Sequence, residues 1–167
     1  NGDSWNKALK DNWKPNINMF PIDEAVSKST TIQYLLSDAA QISNWDCVKS
    51  NLKENNTLYF SHGFGIVFDY QTNIKPPSNV DVVLVAPKGP GGLVREKFQK
   101  GEGINSSYAI HQNYSGQAKE KTLALAFGIG SLNVFETTFE KEVYSDLTGE
   151  RCVLMGLIQG AFKAQYN

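Results

Sequence analysis

The sequence predicts an α/β fold, a parallel β-sheet with helices on both faces, followed by a helical stretch without strands. Three observations predict it. Short β-branched, apolar runs recur between residues 30 and 111, helix-length polar segments separate them, and the strand signal stops after Thr137. Strands joined by connections of helix length pair in parallel through right-handed crossovers, which places the connecting helices on the two sheet faces.

Each element has its own warrant. Pro21-Ile22-Asp23-Glu24-Ala25-Val26 reads as a helix start, with proline early and acids in the first turn, where the helix dipole favours them. Thr30 to Leu36 is a β-branched run that breaks at Ser37-Asp38, a polar turn suited to a helix N-terminus. Asn44 to Leu52 reads as a helix, Thr57 to Ser61 as a strand, Val80 to Ala86 as a buried strand and Gly91 to Lys100 as a charged helix. Ile104 to His111 is a further strand. Gly116 to Phe127 carries Ala118, Leu123, Ala124 and Ala126 at helical spacing, and Gly128-Ile129-Gly130 precedes one more strand. Beyond Thr137, residues 138–149 and 151–165 read as helix. Val153, Leu154, Leu157, Ile158, Ala161 and Phe162 recur there at a spacing that requires a partner surface. The expected division is therefore 1–137 and 138–167.

Composition narrows the function classes. The chain has 167 residues, 41% hydrophobic and 20% charged, enough for one sizeable core. A net charge of −1 without a like-charge block disfavours nucleic acid as a partner. The apolar runs fall far short of the ~20 residues that span a bilayer. Cys47 and Cys152 lie far apart, outside any CxxC pair, and read as buried thiols rather than a disulfide or zinc site.

Four features bear on chemistry. Ser61-His62-Gly63-Phe64 ends a strand, where open α/β sheets place ligands, so His62 either faces a cofactor or bonds a loop carbonyl. Val85-Ala86-Pro87-Lys88-Gly89-Pro90-Gly91 ends another, with glycines that admit a ligand to the backbone and a lysine that either meets an anion or is solvated. Glu142, Asp146 and Glu150 fall at i, i+4 and i+8. Each like-charge pair at that spacing costs about 0.2–0.5 kcal/mol, so either a cation such as Mg2+ offsets them or they form a solvated face near Lys141 and Arg151. Gly149 suggests close approach of another group, because glycine inside a helix costs about 1 kcal/mol. Finally, no GxGxxG follows a strand.

Together the motifs resemble ketol-acid reductoisomerase, also called acetohydroxyacid isomeroreductase. They are Leu58-Tyr59-Phe60-Ser61-His62-Gly63-Phe64, Val85 to Gly91, Val94-Arg95, Gly101-Glu102-Gly103-Ile104-Asn105-Ser106-Ser107-Tyr108-Ala109, Glu136-Thr137-Thr138-Phe139, and Ser145-Asp146-Leu147-Thr148-Gly149-Glu150-Arg151. Ser37-Asp38-Ala39-Ala40-Gln41 and Ile104-Asn105-Ser106-Ser107 are most similar to the organellar enzymes of fungi.

The resemblance implies a partial Rossmann-like NADP-binding domain over 1–137 and the first helices of an all-α, knotted-type domain over 138–167. It implies an NADPH- and Mg2+-dependent step of branched-chain amino-acid synthesis, in which an acetohydroxy acid undergoes alkyl migration and the resulting ketone takes a hydride. His62, Lys88 and Glu150 match catalytic positions, and Asp146 and Glu150 match metal ligands. Ser4 matches a position near the cofactor's 2′-phosphate, although the neighbouring Asp3 disfavours that phosphate. Asp38, Ala39, Ala40, Gln41 and Gly91 match cofactor-contacting loops. The resemblance further implies an oligomer in the mitochondrial matrix or a plastid. It places the glycine-rich first unit before Asn1 and a second carboxylate pair after Asn167, so this polypeptide by itself is expected to be inactive. The alternative expectation is a noncatalytic subunit that docks protein partners on its 153–162 face.

Overall fold

The computed structural model describes residues 2–166. Its elements are α1 (Asp3–Lys10), α2 (Ile22–Lys28), β1 (Thr31–Gln33), α3 (Asp38–Asn51), β2 (Thr57–Phe60), α4 (Phe64–Val67), α5 (Asp69–Thr72), β3 (Asp81–Pro87), α6 (Gly91–Gln99), β4 (Ile104–Gln112), α7 (Ala118–Gly128), β5 (Ser131–Glu136), α8 (Phe139–Ser145), a π-helix (Asp146–Ile158) and α9 (Gln159–Tyr166). The five strands form one Rossmann-like sheet in the order β1-β2-β3-β4-β5.

Strand alternation divides the core between the two faces. Leu58 and Phe60 of β2, Val82, Leu84 and Ala86 of β3, and Ala109 of β4 face one way and pack with Val26 of α2, Trp45 and Val48 of α3, and Phe139 of α8. Tyr59, Val83, Val85 and Tyr108 face the other way, against Ala118 and Ala126 of α7. The central strands are thus apolar on both faces, as the unbroken run Val82 to Pro87 indicates. Asp81 opens β3 fully buried, bonded by Ser115 and by Lys121 at 2.7 Å. Burial works to raise its pKa, but those bonds outweigh it and hold the carboxyl below its usual range. This network pins α7 at the edge of the sheet opposite the ends of β1–β3.

Several expectations are corrected. β4 runs antiparallel to β3, and only the β1–β2, β2–β3 and β4–β5 pairs are parallel. The β3–α6–β4 connection does not cross back to the start of β3, and a helix-length spacer is compatible with either course, so the spacing of strand and helix signals does not fix it. β1 spans three residues rather than seven, and α3 begins at Asp38, where Ser37 caps it by accepting from Ala40 N. α1, α4 and α5 were not anticipated. Cys152 is exposed and Cys47 half-buried, so neither is the fully buried thiol expected. The late helix is a 13-residue π-helix between α8 and α9, and Val153, Leu154, Leu157 and Ile158 along it and Phe162 of α9 are all exposed.

Candidate active site

The strand ends position the site. β1, β2 and β3 finish at one edge, and their following loops, Tyr34–Ser37, Ser61–Gly63 and Lys88–Pro90, lie side by side. α8 climbs one face toward that edge. Phe139 and Val143 are buried against the sheet, and a Cβ on Gly63 would stand 2.7 Å from the Phe139 ring and 3.2 Å from Val143. Glycine after His62 is therefore what allows α8 to lie close enough to deliver Asp146.

Two adjoining clefts of about 330 Å³ each open there, sharing Leu35 and Ser61. One is lined by Gln33, Tyr59, Gly91, Asp146 and Glu150 among others, and the second by Asp38, Gln41, His62 and Arg151. Of the residues expected at a site, six therefore meet: His62, Asp38, Gln41, Gly91, Asp146 and Glu150. Ala39 and Ala40 sit on the first turn of α3 beside them. Ser4 is exposed on α1 and lines neither cleft.

The electrostatics center on Asp146. Its Oδ2 lies 3.3 Å from His62 Nδ1 and 3.2 Å from Arg151 Nε. Neither approach has hydrogen-bond geometry, so Oδ2 is buried and accepts from no donor, and His62 Nε2 is likewise buried without a partner. Buried polar atoms left unpaired cost about 1–3 kcal/mol each, so both require an explanation. The π-helix accounts for Arg151: i→i+5 bonding stacks residues five apart, which brings Arg151 over Asp146. Thr148 Oγ1 donates to Tyr144 O at 2.5 Å at the junction, occupying the carbonyl that an α-helical amide would use.

Lys88 does not enter either cleft. Its ammonium donates to both oxygens of Glu142 at 2.7 Å, and Ser107 Oγ donates to Glu142 Oε2 at 2.7 Å. Glu142 is therefore not a third member of a carboxylate stripe. It is buried, and the cation that offsets it is Lys88. Gly149 is a second correction, since a Cβ there would meet nothing within 4 Å.

The fit to magnesium is partial. Asp146 and Glu150 bring hard carboxylate oxygens to one cleft, and Asp146 Oδ2, ion-paired with Arg151, accepts no hydrogen bond. Among the described residues no group of three or more potential metal ligands is gathered. The fit to a dinucleotide rests on the same edge. α6 opens at Gly91 with no side-chain cap, leaving its first amides free for an anion, and neither Gly91 nor Gly92 has an atom within 4 Å of a built Cβ. Tyr59 and Tyr34 border the clefts, and burial pushes both hydroxyls up to about 12, with Cys47 adding to the effect on Tyr34.

Residues 1–134 match the family described as acetohydroxy acid isomeroreductase, NADPH-binding domain. The chain belongs to this family. The isomeroreductase relatives include a ketol-acid reductoisomerase (NAD(+)) of Desulfosudis oleivorans, 58% identical over 98% of this chain and 46% of its own length. A mitochondrial ketol-acid reductoisomerase of Neurospora crassa is 54% identical over the whole chain and 42% of its own length. Among solved structures, an NADH-preferring ketol-acid reductoisomerase from an uncultured archaeon superposes with a TM-score of 0.86 at 38% identity, over 98% of this chain and 49% of that one. The chain thus spans about half the length of these relatives. An NAD-binding semialdehyde dehydrogenase of Cupriavidus necator, 12% identical with a TM-score of 0.75, shares the fold alone.

Sequence reasoning missed Ser107 and Tyr34, and it placed Arg151 near the acidic residues only as part of a solvated face. Ser107 was visible only as part of a motif, since nothing in its spacing shows which face of β4 it occupies. An α-helical period does not show that Arg151 stands over Asp146, because the π-helix sets that register.

Proposed function

We propose that this chain forms the nicotinamide-cofactor domain and the first metal-binding helix of a ketol-acid reductoisomerase of branched-chain amino-acid synthesis. The observation that carries the reading is the convergence of Asp146, Glu150, His62 and the β1–α3 loop on one sheet edge. Asp146 and Glu150 would hold magnesium. Bound magnesium supplies Lewis acidity at the acetohydroxy acid's oxygens, and bound nicotinamide supplies the hydride that follows alkyl migration. The chain's own residues orient these partners. Glu142, one helical turn before Asp146, holds Lys88 in an ion pair just outside the clefts and so fixes the lysine in a single geometry. His62 keeps Nε2 within the buried edge, free to exchange a proton with substrate. The fungal relatives named mitochondrial support placement in the mitochondrial matrix.

Assay of the complete protein tests the reading: an acetohydroxy acid, Mg2+ and a reduced nicotinamide should give turnover, and its absence with both NADPH and NADH refutes it. The resemblance favours NADPH. Asp3, exposed beside Ser4 in the first turn of α1, favours NADH, because a carboxylate repels a 2′-phosphate. Asp3→Asn should raise kcat/KM for NADPH relative to NADH by about tenfold, and an unchanged ratio would remove Asp3 from the cofactor site.

A second reading, a noncatalytic interaction subunit, rests on the exposed apolar residues between Val153 and Phe162. Turnover by the complete protein excludes it.

A further inference from the structure

The loop between β1 and α3 borders both clefts, yet hydrophobic packing does not hold it. Leu35 is 52% exposed and Leu36 39%. The cap of α3 is weak as well, since Ala40 N stands 3.4 Å from Ser37 Oγ. What fixes the loop is a pair of buried side chains. Gln41, 4% exposed, donates both amide protons to loop carbonyls, to Tyr34 O at 3.2 Å and Leu36 O at 2.9 Å. Tyr34, 3% exposed, returns its hydroxyl to Gln41 O at 2.6 Å. The two residues thus close a ring of hydrogen bonds around the loop, and the Tyr34 ring packs on Trp45 and Phe60 behind it.

We propose that Tyr34 and Gln41, although they border the clefts, are positioning residues whose side-chain donors are spent on clamping the Tyr34–Ser37 loop in its cofactor-binding shape. This inference rests on the reductoisomerase reading of the clefts. The chemistry is specific to these side chains. Glutamine supplies two donors to two carbonyls, which glutamate and methionine of similar length cannot do. The tyrosine hydroxyl keeps its proton well above neutral pH because it is buried. An exposed loop without this clamp samples other conformations, and ordering it on binding weakens the ligand's affinity.

The test uses the complete protein with Gln41→Met and Tyr34→Phe. Cofactor Kd is followed by nicotinamide fluorescence, alongside the KM values of cofactor and acetohydroxy acid. Both variants should raise cofactor Kd and KM about tenfold and leave the acetohydroxy acid KM unchanged, and the double variant should be little worse than either single one because both act on one loop. A role in stability alone would lower the melting temperature without moving cofactor Kd. If Gln41→Met does not fold, Tyr34→Phe decides by the same measurement. Wild-type cofactor Kd in folded variants overturns the clamp alone, whereas failure of the unmutated protein to bind either nicotinamide overturns the clamp and the reductoisomerase reading together.

Discussion

Gly63 joins the fold to the site at the scale of a single residue. It follows His62, and its missing side chain leaves the space that Phe139 and Val143 of α8 occupy. Gly63→Ala should therefore destabilise by about 1–3 kcal/mol, the usual cost of overpacking a filled core, and should also move Asp146 away from His62. Chemical denaturation of the variant measures this, and an unchanged midpoint would show that α8 docks without regard to that contact. The motif Ser61-His62-Gly63-Phe64 was legible in the sequence as a strand end, and His62 follows β2 and lines one of the clefts. The reason for the glycine was not legible, because the atoms it avoids lie about 80 residues later in the chain. Glu142 teaches the complementary lesson. Its helical spacing from Asp146 suggested a shared cation, but Lys88 and Ser107, distant in sequence, had already claimed it.

Among the elements, the π-helix is what periodicity could not reveal. Apolar positions between Val153 and Phe162 satisfy an α-helical repeat, yet the chain runs as a π-helix as far as Ile158, where i→i+5 bonding stacks Arg151 on Asp146. The strands were more legible than their directions. Runs of β-branched residues located β2, β3 and β4 to within a residue or two, since apolar residues on both faces of a covered strand leave an unmistakable local pattern. The antiparallel course of β4 leaves no such mark, because it depends on which sheet edge α6 returns to. β1 was overestimated for a related reason: Tyr34, Leu35 and Leu36 have strand-like chemistry, but Tyr34 and Gln41 divert the chain into the loop that borders both clefts.

For the molecule as a whole, one sheet separates two tasks. Its edge near Asp81 secures α7, and its opposite edge gathers the candidate catalytic groups. The two buried tyrosines near that edge tie stability to pH. Burial pushes the Tyr34 and Tyr59 hydroxyls up to about 12 against an ordinary value of about 10, so the folded state holds these protons more tightly than the unfolded one. Their contribution is complete below pH 10 and is lost as pH rises from 10 through 12. Unfolding midpoints measured across that interval should fall steeply, and less so for Tyr34→Phe, while a flat profile would mean that these hydroxyls are solvated. Metal binding bears most directly on the site itself. Mn2+, a spectroscopic substitute for Mg2+, can be titrated into the complete protein and its Asp146→Asn variant and followed by electron paramagnetic resonance. The account predicts that the variant loses at least about tenfold in Mn2+ affinity; equal affinity in the two proteins would contradict it.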